Sequence, residues 1–201
     1  GKKIAVNPKH FQYISKMPGE HNLKNSAMAA AVALSFSCSK EKVAEIIKNF
    51  KGNEHRLEFV KKIKNISFYN DSASTNPQTT TAAISAFKEP NILIAGGKDK
   101  GLDYSPLAKT LKSSNTKLVI LFGENKNKIR KQIAGSKARI VFAKDLKTAV
   151  NFAHKTAKNL TLQFANSPII ILFSPAAASF DMFKDYADRG KKFKELAQKL
   201  K

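Results

Sequence analysis

A chain of 201 residues, 42% of them hydrophobic, has apolar material for one ordinary domain, or for one domain and part of another. No apolar run approaches the ~20 residues of a membrane span, the N-terminal Gly1-Lys2-Lys3-Ile4-Ala5-Val6-Asn7-Pro8 lacks a signal-peptide apolar region, and a lone cysteine excludes an intramolecular disulfide and gives no cysteine metal cluster. The formal net charge of +21 attracts anions, which admits both phosphate-bearing substrates and non-specific nucleic acid.

In chain order, residues 22–37 are alanine-rich and apolar and predict a helix. Ser39 is placed to cap a second helix over 40–50, with Glu41 and Glu45 early in it. Lys51-Gly52-Asn53 reads as a break. The first fifty residues thus hold one possible strand and two helices with no sheet to cover. An amphipathic helix pair needs a partner surface, so they read as the tail of a preceding domain. After the break, strands and helices alternate. Strands are predicted over 66–69, 91–95, 117–122, 139–142 and 169–173, and 57–63 adds a candidate edge strand. Helices are predicted over 77–87, 106–112, 126–134, 146–160 and 180–200. Short apolar strands separated by helices of this length imply βαβ units and an α/β fold with a doubly wound, mostly parallel sheet. The apolar surroundings of Cys38 predict a buried small residue, and a reducing cytoplasm is the simplest compartment.

Several polar clusters fall at the ends of these elements. Asn70-Asp71-Ser72-Ala73-Ser74-Thr75-Asn76-Pro77 lies between a strand and a helix. Asn76 and Pro77 suit a helix start, but capping does not explain why Asp71, Ser72, Ser74 and Thr75 crowd ahead of them. His21-Asn22-Leu23-Lys24-Asn25 sets Asn22 and Asn25 three apart on one helix face. Their amides suit either a purine edge or ordinary capping, and spacing alone favours capping. His55-Arg56 follows the break; the histidine reads equally as structural and the arginine as an acid's partner. Gly96-Gly97-Lys98-Asp99-Lys100-Gly101 follows a strand, where glycines let backbone N–H groups approach a ligand and two lysines add charge, although a plain turn has the same composition. It is not a Walker A loop, since no Gly-x-x-x-x-Gly-Lys-Ser/Thr occurs in the chain. In Ser174-Pro175-Ala176-Ala177-Ala178-Ser179, Ser179 can cap the last helix, donate to a ligand, or both. In a parallel sheet these strand ends share one edge, where ligands bind. No Ser/His/Asp triad and no metal-type histidine pair is visible, and His10 and His154 read as surface or helix residues.

Only four basic residues are arginine: Arg56, Arg130, Arg139 and Arg189. The lysines, such as Lys126, Lys128, Lys131 and Lys137, are scattered. Nucleic-acid readers use arginines and exposed aromatics at recognisable spacings, and none is seen. A lysine-rich surface is the reading preferred over specific nucleic-acid binding.

With these motifs in order, the chain resembles the Mur ligases of peptidoglycan synthesis over nearly its whole length, from about Gly19. The matching segments are Gly19-Glu20-His21-Asn22 with Asn25, Gly52 with His55-Arg56-Leu57-Glu58, Asn70-Asp71-Ser72 with Thr75-Asn76-Pro77, Gly96-Gly97 with Lys100-Gly101, Asp103 and Tyr104, and Ser174-Pro175-Ala176 with Ser179-Phe180-Asp181, Phe183, Arg189-Gly190 and Phe193. The last segment points to the D-glutamate-adding branch, and the Gly-Lys-Gly-His-Glu segment expected of the diaminopimelate- or lysine-adding branch is missing. The resemblance implies a three-domain ligase. Residues 1–52 would end its central ATPase domain, and residues 53–201 would form its C-terminal Rossmann-like domain. It implies ATP and Mg2+ as cofactors, with the metal ligands in an upstream part. It implies D-glutamate and UDP-N-acetylmuramoyl-L-alanine as partners, an acyl phosphate as intermediate, a monomer, and no membrane contact. By motif, Asn22, Asn25, Arg56 and Asp71 would contact ATP, and Thr75, Lys100, Ser179, Phe180 and Tyr186 would bind D-glutamate. Tyr186 stands where the family often has phenylalanine. Ala73 stands where it usually has lysine, so a neighbour such as Lys98 compensates or activity is altered. The fragment alone is expected to be inactive. The rival readings are a folylpolyglutamate-type or other Mur-type ligase, and a stand-alone basic anion- or nucleic-acid-binding module.

Overall fold

The computed structural model describes residues 17–164 and 167–201. Two compact units divide it, Gly1–Gly52 and Asn53–Lys201. His10, and any strand ahead of the first helix, lie outside the described residues.

In the first unit, α1 (Glu20–Ser35) and α2 (Lys40–Asn49) pack through Ala30, Val43 and Ile47, flanked by Ala33 and Leu34. Ser39 caps α2 by accepting from the Lys42 N–H. Cys38 is exposed, contrary to the sequence expectation. It lies in the turn beyond α1, where its N–H donates to Ala33 O, and the small helix–helix seam does not reach it.

The second unit is an α/β domain of β1 (Glu58–Ile63), β2 (Ile66–Asn70), α3 (Pro77–Ser85), β3 (Asn91–Ala95), α4 (Ser105–Ser113), β4 (Thr116–Leu121), α5 (Lys126–Ile133), β5 (Arg139–Phe142), α6 (Leu146–Gln163), β6 (Ile169–Phe173) and α7 (Tyr186–Lys199). The sheet order is β1-β2-β6-β3-β4-β5, all parallel except β1, which pairs antiparallel with β2 as an edge strand. Strand side chains alternate faces, and both faces are covered. Ile92 and Ile94 join the layer with Leu146, Val150 and Phe193 of α6 and α7. Leu93 and Ala95 join the layer with Ile84, Leu107 and Ile129 of α3, α4 and α5. Every residue of β3 and of the all-apolar β6 is buried for this reason.

The last helix is shorter than the sequence predicts. It starts at Tyr186, not Phe180, and its cap is Asp185, which accepts from the Asp188 N–H at 2.7 Å. Residues 179–183 turn instead, with the Met182 and Phe183 N–H groups donating to Ser179 O. Ser179 therefore does not cap α7. Leu57 has φ +45 and lies outside β1, which begins at Glu58.

One buried side chain joins the loops at the C-terminal ends of the central strands. Arg189 on α7 is fully buried. Its Nε donates to Ser72 Oγ at 3.0 Å and its Nη2 to Ser72 O at 2.8 Å, both in the loop after β2. Its Nη1 donates to Ala177 O at 3.0 Å, in the loop after β6. A Cβ added to Gly97, in the loop after β3, would lie 3.2 Å from Nη1 and would collide with Ala178 O. All three acceptors are uncharged, so burial dominates and pulls the guanidinium down to about 10, opposed by the Asp181 charge. It remains a cation at neutral pH.

Arg189→Met is expected to cost roughly 2–4 kcal/mol, because it takes the donor from two buried carbonyls and from the Ser72 hydroxyl oxygen. Arg189→Lys should recover little, since one ammonium does not span a planar fork of acceptors. Denaturant midpoints check both, and full stability in the lysine variant would refute the three-loop tie. A second expectation concerns His154 on α6. It is buried against Phe68, and its Nε2 has no hydrogen-bond partner among the described residues. Burial, then Lys158 and Lys61, lowers its pKa below 6.5. The unfolded chain takes up that proton more readily, so stability is full above the unfolded value and is lost as pH falls through 6.5 toward the folded value. His154→Leu should flatten part of this acid loss when melting temperature is followed against pH; an unchanged slope would contradict it.

Candidate active site

The path of the chain creates a crevice. From β2 it crosses through α3 to β3, passing over the position of β6, and it returns through α6 on the opposite face to place β6 between β2 and β3. The loops after β2, β6 and β3 therefore stand side by side at a topological switch point, the usual ligand position in such sheets.

In the β2–α3 loop, Asp71 is 2% exposed. Its Oδ1 accepts from the Leu57 N–H at 3.1 Å and its Oδ2 from the Ser174 hydroxyl at 2.6 Å. Burial holds its pKa above the usual carboxylate value, against the pull of Ser174, Ser74, the Leu57 N–H and the Arg56 charge. Asp71 thus ties the turn before β1 to the β6 loop, while the adjacent Arg56 is exposed. Asn76 caps α3, with Pro77 at its first position. Half-buried Thr75 donates its N–H to Ala73 O.

The glycine pair after β3 serves packing. The Gly96 N–H donates to Pro175 O at 2.8 Å and the Gly97 N–H to Asn125 Oδ1 at 3.0 Å, so neither is presented to a ligand. A Cβ at Gly96 would collide with Phe122 O. Beyond them, Lys98 pairs with Glu124 at 2.6 Å and Asp99 with Lys128 at 2.9 Å. Lys98 is therefore already engaged by a carboxylate. Lys100 is exposed, with its ammonium 5.2 Å from the centre of the Phe180 ring. Phe180 is 62% exposed and Tyr186 47%. The Tyr186 ring lies near perpendicular to the His55 ring, with centroids 6.3 Å apart, and the Tyr186 carbonyl accepts from the Ser72 hydroxyl at 2.8 Å. Ser179 is buried beside Phe180.

The structure thus brings Lys100 to Phe180 and links Tyr186 to the Ser72 loop, with Thr75 in that same loop. Asn22 and Asn25 belong to α1 of the first unit. Asn22 is buried and donates to Pro18 O at 2.7 Å, whereas Asn25 is exposed. Sequence reasoning assigned no role to Arg189, Asn70 or Ser174, whose partners lie many residues away, and gave His55 only a generic structural one.

Among the described residues, Glu54, His55 and Glu58 form the one group with metal-ligand donors close together. Lys194 bonds both carboxylates, at 2.5 and 3.0 Å. This is an ion-pair cluster with its own cation, and its nitrogen-bearing donor set does not fit the all-oxygen preference of Mg2+.

The comparisons with known proteins follow the same lines. The family description "Mur ligase, glutamate ligase domain" matches residues 55–167. The UDP-N-acetylmuramoylalanine–D-glutamate ligase of Caldicellulosiruptor saccharolyticus is 40% identical over 185 residues, covering 92% of this chain and 39% of that protein. The same-named ligase of Clostridium tetani is 40% identical over 199 residues, covering 98% of this chain and 43% of that protein. The chain thus spans about two fifths of the length of these curated relatives. The crystal structure of a UDP-N-acetylmuramate–alanine ligase from Thermotoga maritima superposes with a TM-score of 0.63 at 19% identity, over 92% of this chain and 39% of that one, which speaks to the fold. With the glutamate ligase domain matched over more than half of its length, the chain belongs to the Mur ligase family.

Proposed function

We propose that the chain is the C-terminal part of an ATP-dependent amide ligase that joins D-glutamate to UDP-N-acetylmuramoyl-L-alanine in the cytoplasm. The observation that carries this reading is the 40% identity, over 92% of the chain, to a ligase of that name. The exposed groups on the switch-point edge agree with it. Lys100 offers an ammonium to a carboxylate, and Phe180 and Tyr186 offer apolar walls that shed water around it. Half-buried Thr75 and buried Ser179 add hydroxyls. Arg56 stands outward as the nucleotide contact, held by the Asp71-anchored turn, with Asn22 and Asn25 as the amide contacts from the first unit. Residues 1–52 are the end of an ATPase domain. The exposed apolar row of Met28 and Val32 on α1 and Phe36 at its C-cap supports that assignment. The phosphate-binding loop and the Mg2+ ligands belong to that domain's upstream part. In such a reaction these residues orient the incoming amine and neutralise carboxylate charge, while an acyl phosphate supplied from ATP is the electrophile.

The test is a chimera in which this chain replaces the matching C-terminal part of the Clostridium tetani ligase. Phosphate release should require D-glutamate and UDP-N-acetylmuramoyl-L-alanine, and the chain alone should give none. Absence of turnover in a folded chimera, or equal turnover with other amino acids, would reject the D-glutamate assignment. In that chimera, Lys100→Ala should raise the D-glutamate KM about 10- to 100-fold, the equivalent of a lost charge-assisted hydrogen bond, with the ATP KM changed much less. Because Lys98 is held by Glu124, Ala73→Lys should add a cation to the β2–α3 loop and raise kcat; an unchanged kcat would mean the position is neutral here.

A further inference from the structure

His55 is 3% exposed and sits at φ +63 in the turn that carries Arg56. Its Nδ1 lies 2.9 Å from the Asn70 side-chain amide. Which end of that amide faces the ring is fixed by chemistry on both sides. Asn70 Oδ1 accepts from the Ser72 N–H at 3.2 Å. The other end faces Glu58 Oε2 at 3.1 Å and Gly190 O at 3.4 Å, which only accept. The group against His55 is therefore the NH2, a donor. Nδ1 must offer a lone pair, so the ring is neutral with its proton on Nε2. A proton on Nδ1 would set donor against donor, with Gly190 packed too close to let the ring retreat; a Cβ there would collide with it.

The same residues join the turn to the site. His55 O accepts from the Ala73 N–H at 3.0 Å, and the Leu57 N–H donates to Asp71. Asn70 holds Ser72, which in turn bonds Arg189 and Tyr186. We infer that neutral His55, as its Nε2–H tautomer, is a positioning residue for the ligand-facing edge, and that protonation at Nδ1 releases the Arg56 turn and the β2–α3 loop. The edge then has a built-in acid limit.

The charges facing the ring come from three sides. Glu54 Oε1 is 3.7 Å from Nε2 and Glu58 Oε2 is 3.8 Å from Nδ1, and both favour the cation. Lys194 and Lys191 of α7 oppose it, and the Tyr186 ring lies near perpendicular to the imidazole. Burial outweighs the carboxylates and moves the pKa below the ordinary histidine value. The neutral form therefore prevails at physiological pH and the switch lies on the acid side.

The test uses the full 201-residue chain. Long-range 15N NMR of the imidazole near neutral pH should show Nδ1 unprotonated and Nε2 protonated; an Nδ1–H signal overturns the inference. Amide protection factors for Leu57, Ser72 and Ala73 should fall by about tenfold or more from about pH 7.5 to about pH 5, the scale of one buried hydrogen bond lost. His55→Asn supplies an acceptor near Nδ1, tolerates positive φ, and does not titrate. It should keep protection high and flat across the range, while His55→Ala lowers it throughout. A pH dependence in His55→Asn equal to that of the native chain, or native protection in His55→Ala, would overturn the assignment. These readouts need no ligand, so they stand or fall separately from the ligase reading.

Discussion

The C-terminal edge of this sheet depends on a cation buried without an anion. Water solvates a guanidinium strongly, and removing it from water is costly unless its donors are met. Arg189 meets that demand with the Ser72 hydroxyl and two carbonyls from separate loops. The arrangement works in both directions. The loops have no regular structure to hold them, and the arginine gives their carbonyls a fixed partner. Paired carboxylates would have satisfied the charge locally. Neutral backbone acceptors instead require the loops after β2 and β6 to come to one point, so loop geometry and charge burial become a single constraint.

Around that point the polar residues divide into two groups. Asp71, Ser72, Ser174, His55, Asn70 and Arg189 are buried and bonded to one another or to backbone. Arg56, Lys100, Phe180 and Tyr186 are exposed at the rim. A rim group that must meet a ligand at hydrogen-bond distance needs a support that does not shift, and the buried layer provides it. Gly96 and Gly97 belong to that layer. Their missing side chains let β3 approach the β4 and β6 loops, and their N–H groups are already bonded within the protein.

The strands and most helices were legible because each carries its own local signal. Apolar β3 and β6 are buried on both faces, Ser39 and Asn76 cap as spacing suggests, and Pro77 opens α3. Local signal also misled. Phe180-Asp181-Met182-Phe183 has helix-like composition, yet Asp185 is the better cap and Asp181 reaches instead to the Glu124 N–H at 3.0 Å. Cys38 looked buried from its neighbours in sequence, but its surroundings in space are a turn. The long-range ties were not legible at all. Arg189 meets Ser72 across 117 positions and Ser174 meets Asp71 across 103, and no periodicity encodes such pairings. The resemblance flagged Arg189 as part of a motif without giving a reason for it. The reason is packing, seen only when the three loops are together.

Net charge gives little guide to the chemistry of this edge. Most of the +21 is spread as exposed lysine, whose field is screened within about 8 Å at physiological salt. What distinguishes a cation here is whether it is already paired. Lys98, Lys128 and Lys194 lie near the edge, and each is bound to a carboxylate. Lys100 rests beside an aromatic ring, and among the described residues no carboxylate pairs with it. A ring contact at an exposed site is worth only about 0.5–1 kcal/mol, small enough for an incoming carboxylate to replace it. The few acidic residues thus engage Lys98, Lys128 and Lys194 and leave the Lys100 ammonium without a carboxylate.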